Sequence, residues 1–261
     1  MTPAFVVERS DEAPIAVAAI HDGHALRPEV AAAIALSDAE RLREEDPFTA
    51  RWTRLAPTRL IGRRSRFEVD LNRPRELAIY RVPDDAWGLT VWREPPPASL
   101  LRESLAIYDA FYAAAYEALS ALRDRFGRFV VLDLHSYNHR RAGAHGPLAD
   151  PATHPEVNVG TGIMDRSRWA PVVDRFLGDL GQANALGRPL DVRENVRFHG
   201  GHFANWVHRR FPESGCALAV EVRKFFMDEW TGRPDDEQIE AIGRALASTV
   251  PGLHASLRAV A

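Results

Sequence analysis

The chain has one cysteine among its 261 residues, Cys216. A single thiol excludes an intramolecular disulfide framework and a zinc site built from several cysteines. Cys216 lies in the apolar stretch "SGCALAVEV", where a small buried core residue is the expected interpretation.

Long apolar runs and a surplus of basic residues are also missing. No stretch reaches the roughly 18 consecutive apolar residues that a membrane-spanning helix needs, and the first residues lack the pattern of a secretory signal. The net charge is −3, so no overall field favours nucleic acid or an anionic membrane. We expect a cytoplasmic protein without nucleic-acid or membrane partners; its oligomeric state is open.

The pattern of apolar residues predicts an α/β protein. Short apolar runs at Ile15–Ile20, Phe129–Leu134 and Ala217–Val222 are typical of buried strands. A long helix at Ser99–Arg125 precedes the second of them, and this order favours parallel pairing. We predict one α/β domain over residues 1–261 with a largely buried sheet. The remaining expectations are helices at Pro28–Leu36, Ser37 to near Glu45, Ser167–Gly181 and Pro234–Ser248, an extended segment at Phe67–Leu71 and an ordered loop over 74–98.

Two of the predicted strands end on a histidine. Ile15–Ile20 leads into His21, and Phe129–Leu134 leads into His135. Since functional sites gather at the carboxyl ends of parallel strands, two imidazoles there indicate a metal site. His24 follows three residues after His21 in "HDGH", at a turn that Gly23 permits, and is a candidate third ligand. Three neutral imidazoles, or two imidazoles and a carboxylate, leave an open zinc position for water.

An acidic run, "EED" at Glu44–Asp46, offers a rival third ligand. Pro47 pushes Asp46 towards an extended conformation, which can turn its carboxylate back to the strand ends. The choice among His24, Glu45 and Asp46 stays open at this point. The alternative is that the acidic run is only a solvated helix end.

Two further stretches carry residues that suit hydrolysis. Glu221 interrupts an apolar strand, and a buried carboxylate needs a partner such as a metal-bound water, from which it could accept a proton. In "SRFEVDLNRP", Arg66 could stabilise an oxyanion, and Asn72 with Arg73 could grip a substrate carboxylate. The alternatives are an edge-strand glutamate, and arginines that merely pair with Glu68 or Asp70.

In this order the motifs resemble the N-formylglutamate amidohydrolase family, within the wider zinc-carboxypeptidase-like superfamily. The resemblance runs from about Ile15 to Trp230. The matching stretches are "IHDG", "EED", "SRFEVDLNRP", "VLDLHS", "NVGT" and "VRFHGGHF", followed by a strand that carries Glu221.

The resemblance implies a mixed, mostly parallel sheet flanked by helices, one catalytic Zn²⁺ and amide hydrolysis. It makes His21 and His135 metal ligands, with His24 or Asp46 beside them. Glu221 would be the general acid and base, and Arg66 would polarise the scissile carbonyl. The residues that would hold the substrate are Asn72, Arg73, Arg197 and His202, the last of which stands where the family has a tyrosine.

The leading hypothesis is thus a zinc-dependent amidohydrolase acting on a small N-acyl amino acid, by default N-formyl-L-glutamate. One rival is a carboxypeptidase or an acyl-glutamate or acyl-aspartate hydrolase of the same superfamily. The other is a catalytically inactive, ligand-binding relative.

Overall fold

The computed structural model describes residues 3–260, and within that range it contains seven strands and eight α-helices. The strands are β1 (Phe5–Glu8), β2 (Ile15–Ala19), β3 (Thr58–Gly62), β4 (Phe129–Tyr137), β5 (Val157–Gly160), β6 (Val192–Glu194) and β7 (Gly215–Arg223). The helices are α1 (Pro28–Ala33), α2 (Asp38–Glu44), α3 (Thr49–Trp52), α4 (Ala98–Phe126), α5 (Ala170–Gln182), α6 (His202–Arg210), α7 (Asp236–Ser248) and α8 (Val250–Leu257). Short 3₁₀ helices lie at Thr53–Leu55, Arg75–Leu77 and Pro83–Ala86.

All seven strands form one mixed sheet in the order β1-β3-β2-β4-β7-β5-β6. The central strands β3, β2, β4 and β7 are parallel to one another. At the two sides of this block, β1 runs antiparallel to β3 and β5 antiparallel to β7, while β6 is parallel to β5. The prediction of a mixed, mostly parallel sheet flanked by helices is confirmed.

Strand alternation divides the apolar residues between two cores. Ile15 and Val17 of β2 face the core covered by α5, α7 and α8, whereas Ala16 and Ala18 face the core covered by α4 and α6. The same alternation holds in the other central strands, since side chains of a strand point to opposite faces in turn. Helices on both sides explain why these strands are nearly continuous apolar runs.

The alternation also fixes the face on which the polar residues of β4 and β7 lie. Val131 and Ala217 belong to the core under α4 and α6. Residues separated from them by two or four positions point the same way, which puts Asp133, His135 and Glu221 on that face. His135 and Glu221 are direct neighbours in the parallel register of β4 and β7. Because β7 lies between β4 and β5, the alternative of an edge-strand glutamate is wrong.

Several predicted boundaries differ from the structure. Phe67–Leu71 is not a strand: residues 66–68 form a turn, in which Glu68 N–H donates to Ser65 C=O at 2.9 Å. The strand of this region is instead β3, whose apolar signal is short and is interrupted by Arg59. The predicted helix Pro234–Ser248 corresponds to α7, and α8, which was not predicted, follows it after Thr249.

The capping box predicted at Ser37 is present. The Ser37 hydroxyl accepts from Glu40 N–H at 3.3 Å, and the Glu40 carboxylate accepts from Ser37 N–H at 2.8 Å. The helix that follows, α2, ends at Glu44, so the remaining acids of the run emerge directly behind it.

The segment 74–98 is an ordered loop that carries two of the 3₁₀ helices. It packs through Tyr80 and Trp92 into a third apolar cluster with Val30 and Phe67. Cys216 is fully buried, as predicted. Among the described helices, none is both long and apolar enough to cross a membrane.

Candidate active site

Three buried side chains converge at the carboxyl ends of the central strands: His21, Asp46 and His135. Their candidate ligand atoms all lie within 4.8 Å of one another. Nδ1 of His135 is 2.9 Å and Nδ1 of His21 is 3.4 Å from the same Asp46 oxygen, Oδ2. Two imidazoles and one carboxylate leave a further coordination position open, which is the pattern of a catalytic zinc site.

Main-chain contacts place Asp46 in this group. His21 follows directly on β2 and Ile20, and its carbonyl accepts a hydrogen bond from Asp46 N–H at 3.0 Å. Ser136, next to His135 in β4, donates its hydroxyl to the other Asp46 oxygen at 3.3 Å. Burial alone would raise the pKa of Asp46, but hydrogen bonds and charge from His135 and His21 hold it well below its usual range.

Each of the two rings presents its other nitrogen to a second carboxylate. His21 Nε2 is 2.7 Å from Asp70 Oδ1, and His135 Nε2 is 3.0 Å from Asp133 Oδ1. The second contact lacks hydrogen-bond geometry, and neither Asp133 oxygen has a hydrogen-bond partner within residues 3–260. Carboxylates behind ligating histidines fix the tautomer and orientation of the ring, so both acids suit a metal-holding arrangement.

Asp70 is itself held from several sides. Its Oδ2 accepts from Arg66 Nη2 at 2.8 Å and from the Tyr80 hydroxyl, and its Oδ1 accepts from Asn72 N–H at 2.8 Å. Burial opposes the charge, yet Arg66 and His21 keep the pKa of Asp70 well below its ordinary value. The predicted alternative that Arg66 pairs with Asp70 is therefore correct, although Arg66 also lines the cavity described next.

A cavity of about 150 Å³ opens above these residues. Its lining includes His21, Asp46, Arg66, Asn72, His135 and Glu221, all of them predicted site residues. Burial raises the pKa of Glu221 to about 7; Asp46 and Asp133 add to the effect, while His135 and His21 oppose it. A carboxyl group that titrates near neutrality is suited to accept and return a proton.

His24 is not brought into this cavity. Its Nδ1 lies 2.5 Å from Glu45 Oε2, its Nε2 is 3.2 Å from Arg41 Nη2, and its side chain is 38% exposed. The turn that carries it is fixed by Gly23, where a Cβ would lie 2.3 Å from the Arg63 carbonyl carbon. Glu45 also points away from the cavity: it is fully buried and accepts from the Ser65 hydroxyl. Of the three rival third ligands, the structure brings only Asp46 to His21 and His135.

Three of the predicted substrate-binding residues also lie outside the cavity lining. Arg73 donates to Asp85 C=O at 2.6 Å and stacks on Tyr80. Arg197 is exposed and lies beside Phe198. His202 is 3.2 Å from the Tyr108 hydroxyl and lines a separate, open groove.

Asn72, the fourth predicted substrate-binding residue, lines both the cavity and the open groove beside His202. Its Oδ1 accepts from Phe203 N–H at 2.9 Å, at the start of α6, and its Nδ2 is 3.3 Å from His135 Nε2. It thereby ties α6 to the candidate metal group as well as lining the cavity.

The sequence motifs missed several residues of the cavity wall. Lys224 is almost fully buried and donates from Nζ to the carbonyls of Arg43 at 2.5 Å and Glu45 at 2.7 Å. Trp87, from the 74–98 loop, lies under the Arg66 guanidinium at 4.8 Å. A signal for Lys224 existed, because it follows the strand of Glu221 directly; Trp87 had none, since only the folded loop brings it to the cavity.

Comparisons with known proteins agree with the fold and the motifs. An N-formylglutamate amidohydrolase from Ralstonia eutropha shares 18% identity with this chain, at a TM-score of 0.73 over 98% of both chains. A gene product of Agrobacterium tumefaciens shares 18% identity at a TM-score of 0.65, over 97% of this chain and 96% of that one. At such identities these structures show a common fold.

A comparison with curated protein sequences gives no significant match. The family model of N-formylglutamate amidohydrolase, in contrast, matches residues 13–227. That range contains β2, β4 and β7 together with every residue of the candidate metal group. By this match over most of its length, the chain belongs to the N-formylglutamate amidohydrolase family.

Proposed function

We propose that the chain is a metal-dependent amidohydrolase that converts N-formyl-L-glutamate and water into formate and L-glutamate. The observation that carries the proposal is the presence of His21, Asp46, His135 and Glu221 in one cavity of a member of this family. The first three supply ligands, and the fourth supplies a titratable group beside them.

The donor set fits a single zinc ion. Nδ1 of His21, Nδ1 of His135 and the Asp46 carboxylate would hold it. Asp133, whose oxygens have no hydrogen-bond partner among the described residues, agrees with this ligand set. A His135 ring that uses Nδ1 as ligand carries its proton on Nε2, and this nitrogen lies 3.0 Å from Asp133 Oδ1. When bound, such an ion acts as a Lewis acid that polarises the scissile carbonyl and makes water more acidic.

Glu221 is the proposed proton carrier. Its carboxylate accepts a proton from the attacking water as the hydroxyl adds to the formyl carbon, and then gives that proton to the amide nitrogen as the C–N bond breaks. Its place in β7, directly beside His135 of β4, sets this carboxylate next to the candidate ligands for both transfers. Glutamate leaves as the amine, and formate carries the oxygen of the water.

Arg66 is the proposed partner of the oxygen that gains negative charge. Its guanidinium lines the cavity and is fixed by Asp70, by the Tyr80 hydroxyl at 2.9 Å and by Glu44 C=O at 3.2 Å. A donor fixed in advance costs no reorganisation during the reaction, which is how such groups stabilise an oxyanion.

The cavity favours this function over a carboxypeptidase and over an inactive relative. A volume of about 150 Å³ is below the usual range for drug-sized ligands, which supports a small N-acyl amino acid over a peptide. Glu221 beside the three ligands supports catalysis over an inactive binding role. The cytoplasmic location and the single-domain organisation stay predictions.

The decisive experiment measures formate release from N-formyl-L-glutamate by the zinc-loaded protein and by Glu221→Gln. Loss of the proton carrier should lower kcat by about 10²- to 10⁴-fold, with zinc content unchanged. Near-wild-type turnover in Glu221→Gln would refute the assignment of Glu221. A wild-type protein that takes up no zinc would favour the inactive, ligand-binding relative.

A further inference from the structure

Three basic side chains line the cavity: Arg66, Lys224 and Arg141. The first two already have roles. Arg66, held by three hydrogen bonds to protein oxygens, is the proposed partner of the oxyanion, and the buried Lys224 donates to two main-chain carbonyls. An acidic substrate therefore needs another cation for its carboxylates.

Arg141 meets this need. Its Nη1 and Nη2 donate to the two oxygens of Glu44, at 3.3 and 3.0 Å. A guanidinium has five N–H donors, so three of those of Arg141 remain for a ligand. Its side chain is 45% exposed, which puts it at the mouth of the cavity, whereas Glu44 is two residues from Asp46 and mostly buried.

The segment that carries Arg141 is fixed. The buried carboxylate of Glu229 accepts from the main-chain N–H groups of His139 and Arg140, at 2.8 and 2.9 Å. A cation on an anchored segment loses little freedom when it binds a carboxylate, and that favours affinity.

We propose that Arg141 binds a carboxylate of the substrate. The inference rests on the proposed function and deepens it: the site selects N-acyl derivatives of acidic amino acids through the segment that follows β4. Arg73, Arg197 and His202, which lie outside the cavity lining, are replaced in this role by Arg141.

The test combines neutralised substrates with Arg141→Ala. N-formyl-L-glutamine lacks the side-chain carboxylate, and N-formyl-L-isoglutamine lacks the α-carboxylate. In the wild type, loss of the carboxylate that Arg141 binds should lower kcat/KM by about 10- to 100-fold, as expected for a charge-assisted hydrogen bond. In Arg141→Ala the same substrate change should cost less than about threefold. Equal losses in both proteins, for both substrates, would overturn the proposal.

Two matched variants separate recognition from folding. Arg140→Ala removes the neighbouring arginine, which donates to Ala144 C=O outside the cavity, and should leave KM within about twofold. Glu44→Gln removes the competing carboxylate from Arg141 and should lower KM. A Glu44→Gln/Arg141→Ala double variant avoids an unpaired Glu44, and it should keep the high KM of Arg141→Ala. A return of this double variant to the wild-type KM would contradict substrate binding by Arg141.

A binding measurement distinguishes failure of this inference from failure of the proposed function. Calorimetry with glutarate, a dicarboxylate without an amide, requires no turnover. Wild-type protein should bind glutarate at least about tenfold more tightly than Arg141→Ala. Equal binding, or none in the wild type, overturns the role of Arg141 whether or not N-formyl-L-glutamate is cleaved. Binding without cleavage of that substrate overturns only the proposed reaction.

Discussion

Two histidine–carboxylate pairs come from the same two short segments, residues 21–24 and 44–46, and lie in different environments. His21 with Asp46 lies inside the cavity, and His24 with Glu45 lies outside it. The ring of His21 is nearly inaccessible, whereas the side chain of His24 is 38% exposed.

The partners of the two acids explain the difference. Glu45 is satisfied by groups of its own neighbourhood: the His24 ring, the Ser65 hydroxyl and, at 3.5 Å, Arg41. Asp46 has two imidazoles as neighbours, and each of these faces a further carboxylate. Such an excess of buried acid calls for a cation. Glu45 therefore stabilises the fold around it, whereas its neighbour Asp46 belongs to the candidate metal group.

The strongest test of this difference replaces one carboxylate oxygen by an amide nitrogen in each pair. Asp46→Asn removes the carboxylate of the candidate metal group, and we expect a loss in zinc affinity larger than the 10- to 100-fold typical of an outer partner, together with loss of hydrolysis. Elemental analysis of the dialysed protein measures it. Glu45→Gln is the matched control and should keep its zinc; a metal-free Glu45→Gln would contradict the division between the pairs.

Asp70→Asn tests the carboxylate behind His21. This change keeps the shape of the side chain but removes the charge that orients the ring, so zinc affinity should fall by about 10- to 100-fold. Competition with a chromogenic chelator gives the affinity. Ser65→Ala, which removes a hydrogen bond from the Glu45 side, should not change it, and an equal effect of both variants would count against the proposed outer role of Asp70.

The pH dependence of zinc binding should separate the pairs further. Burial opposes a charged His135 ring, but Asp133 and Asp46 outweigh it and raise the pKa of His135 well above its usual range. Zinc must displace this proton, so its affinity should rise with pH between 6 and 8, by about tenfold per unit for one proton released. Calorimetry in buffers of different ionisation enthalpy counts the proton. His24→Ala should keep the same slope, and a pH-independent affinity would exclude a protonated His135.

The smallest effect is expected for His24→Ala alone. Turnover should stay within about twofold, because the ring lies outside the cavity. The free energy of unfolding should fall by about 1 kcal/mol, since the buried Glu45 loses one of its hydrogen-bond partners. Urea unfolding with a parallel zinc assay measures both quantities. Loss of zinc in this variant would restore His24 as a ligand.

Much of the fold was predictable from local patterns. The apolar runs of β2, β4 and β7 predict buried parallel strands, and the capping box at Ser37 predicts the start of α2. The extended segment at Phe67–Leu71 was wrong because residues 66–68 form a turn. Phe67 packs into the loop cluster of Tyr80, whereas Val69 and Leu71 pack into the core under α4 and α6. β3 was missed, since it is short and carries an arginine.

The site was predictable only as a set of candidates. The match over residues 13–227 confirms the family. Its motifs single out His21, His135 and Glu221 by resemblance. They do not separate His24, Glu45 and Asp46, because His-x-x-His spacing and an acidic run are compatible with several side-chain directions. They also suggested Arg73, Arg197 and His202, which the fold directs elsewhere.

The sequence by itself determined the metal-suited residue types, the buried strands that carry them and membership in the family. These depend on periodicity and on motifs that are read along the chain. Only the tertiary structure decided that Asp46 accompanies the two histidines and that Arg141 reaches the cavity. Those facts depend on the direction of single side chains after a helix or strand ends. Glu45 and Asp46 are adjacent in the sequence, yet one points away from the cavity and the other into it.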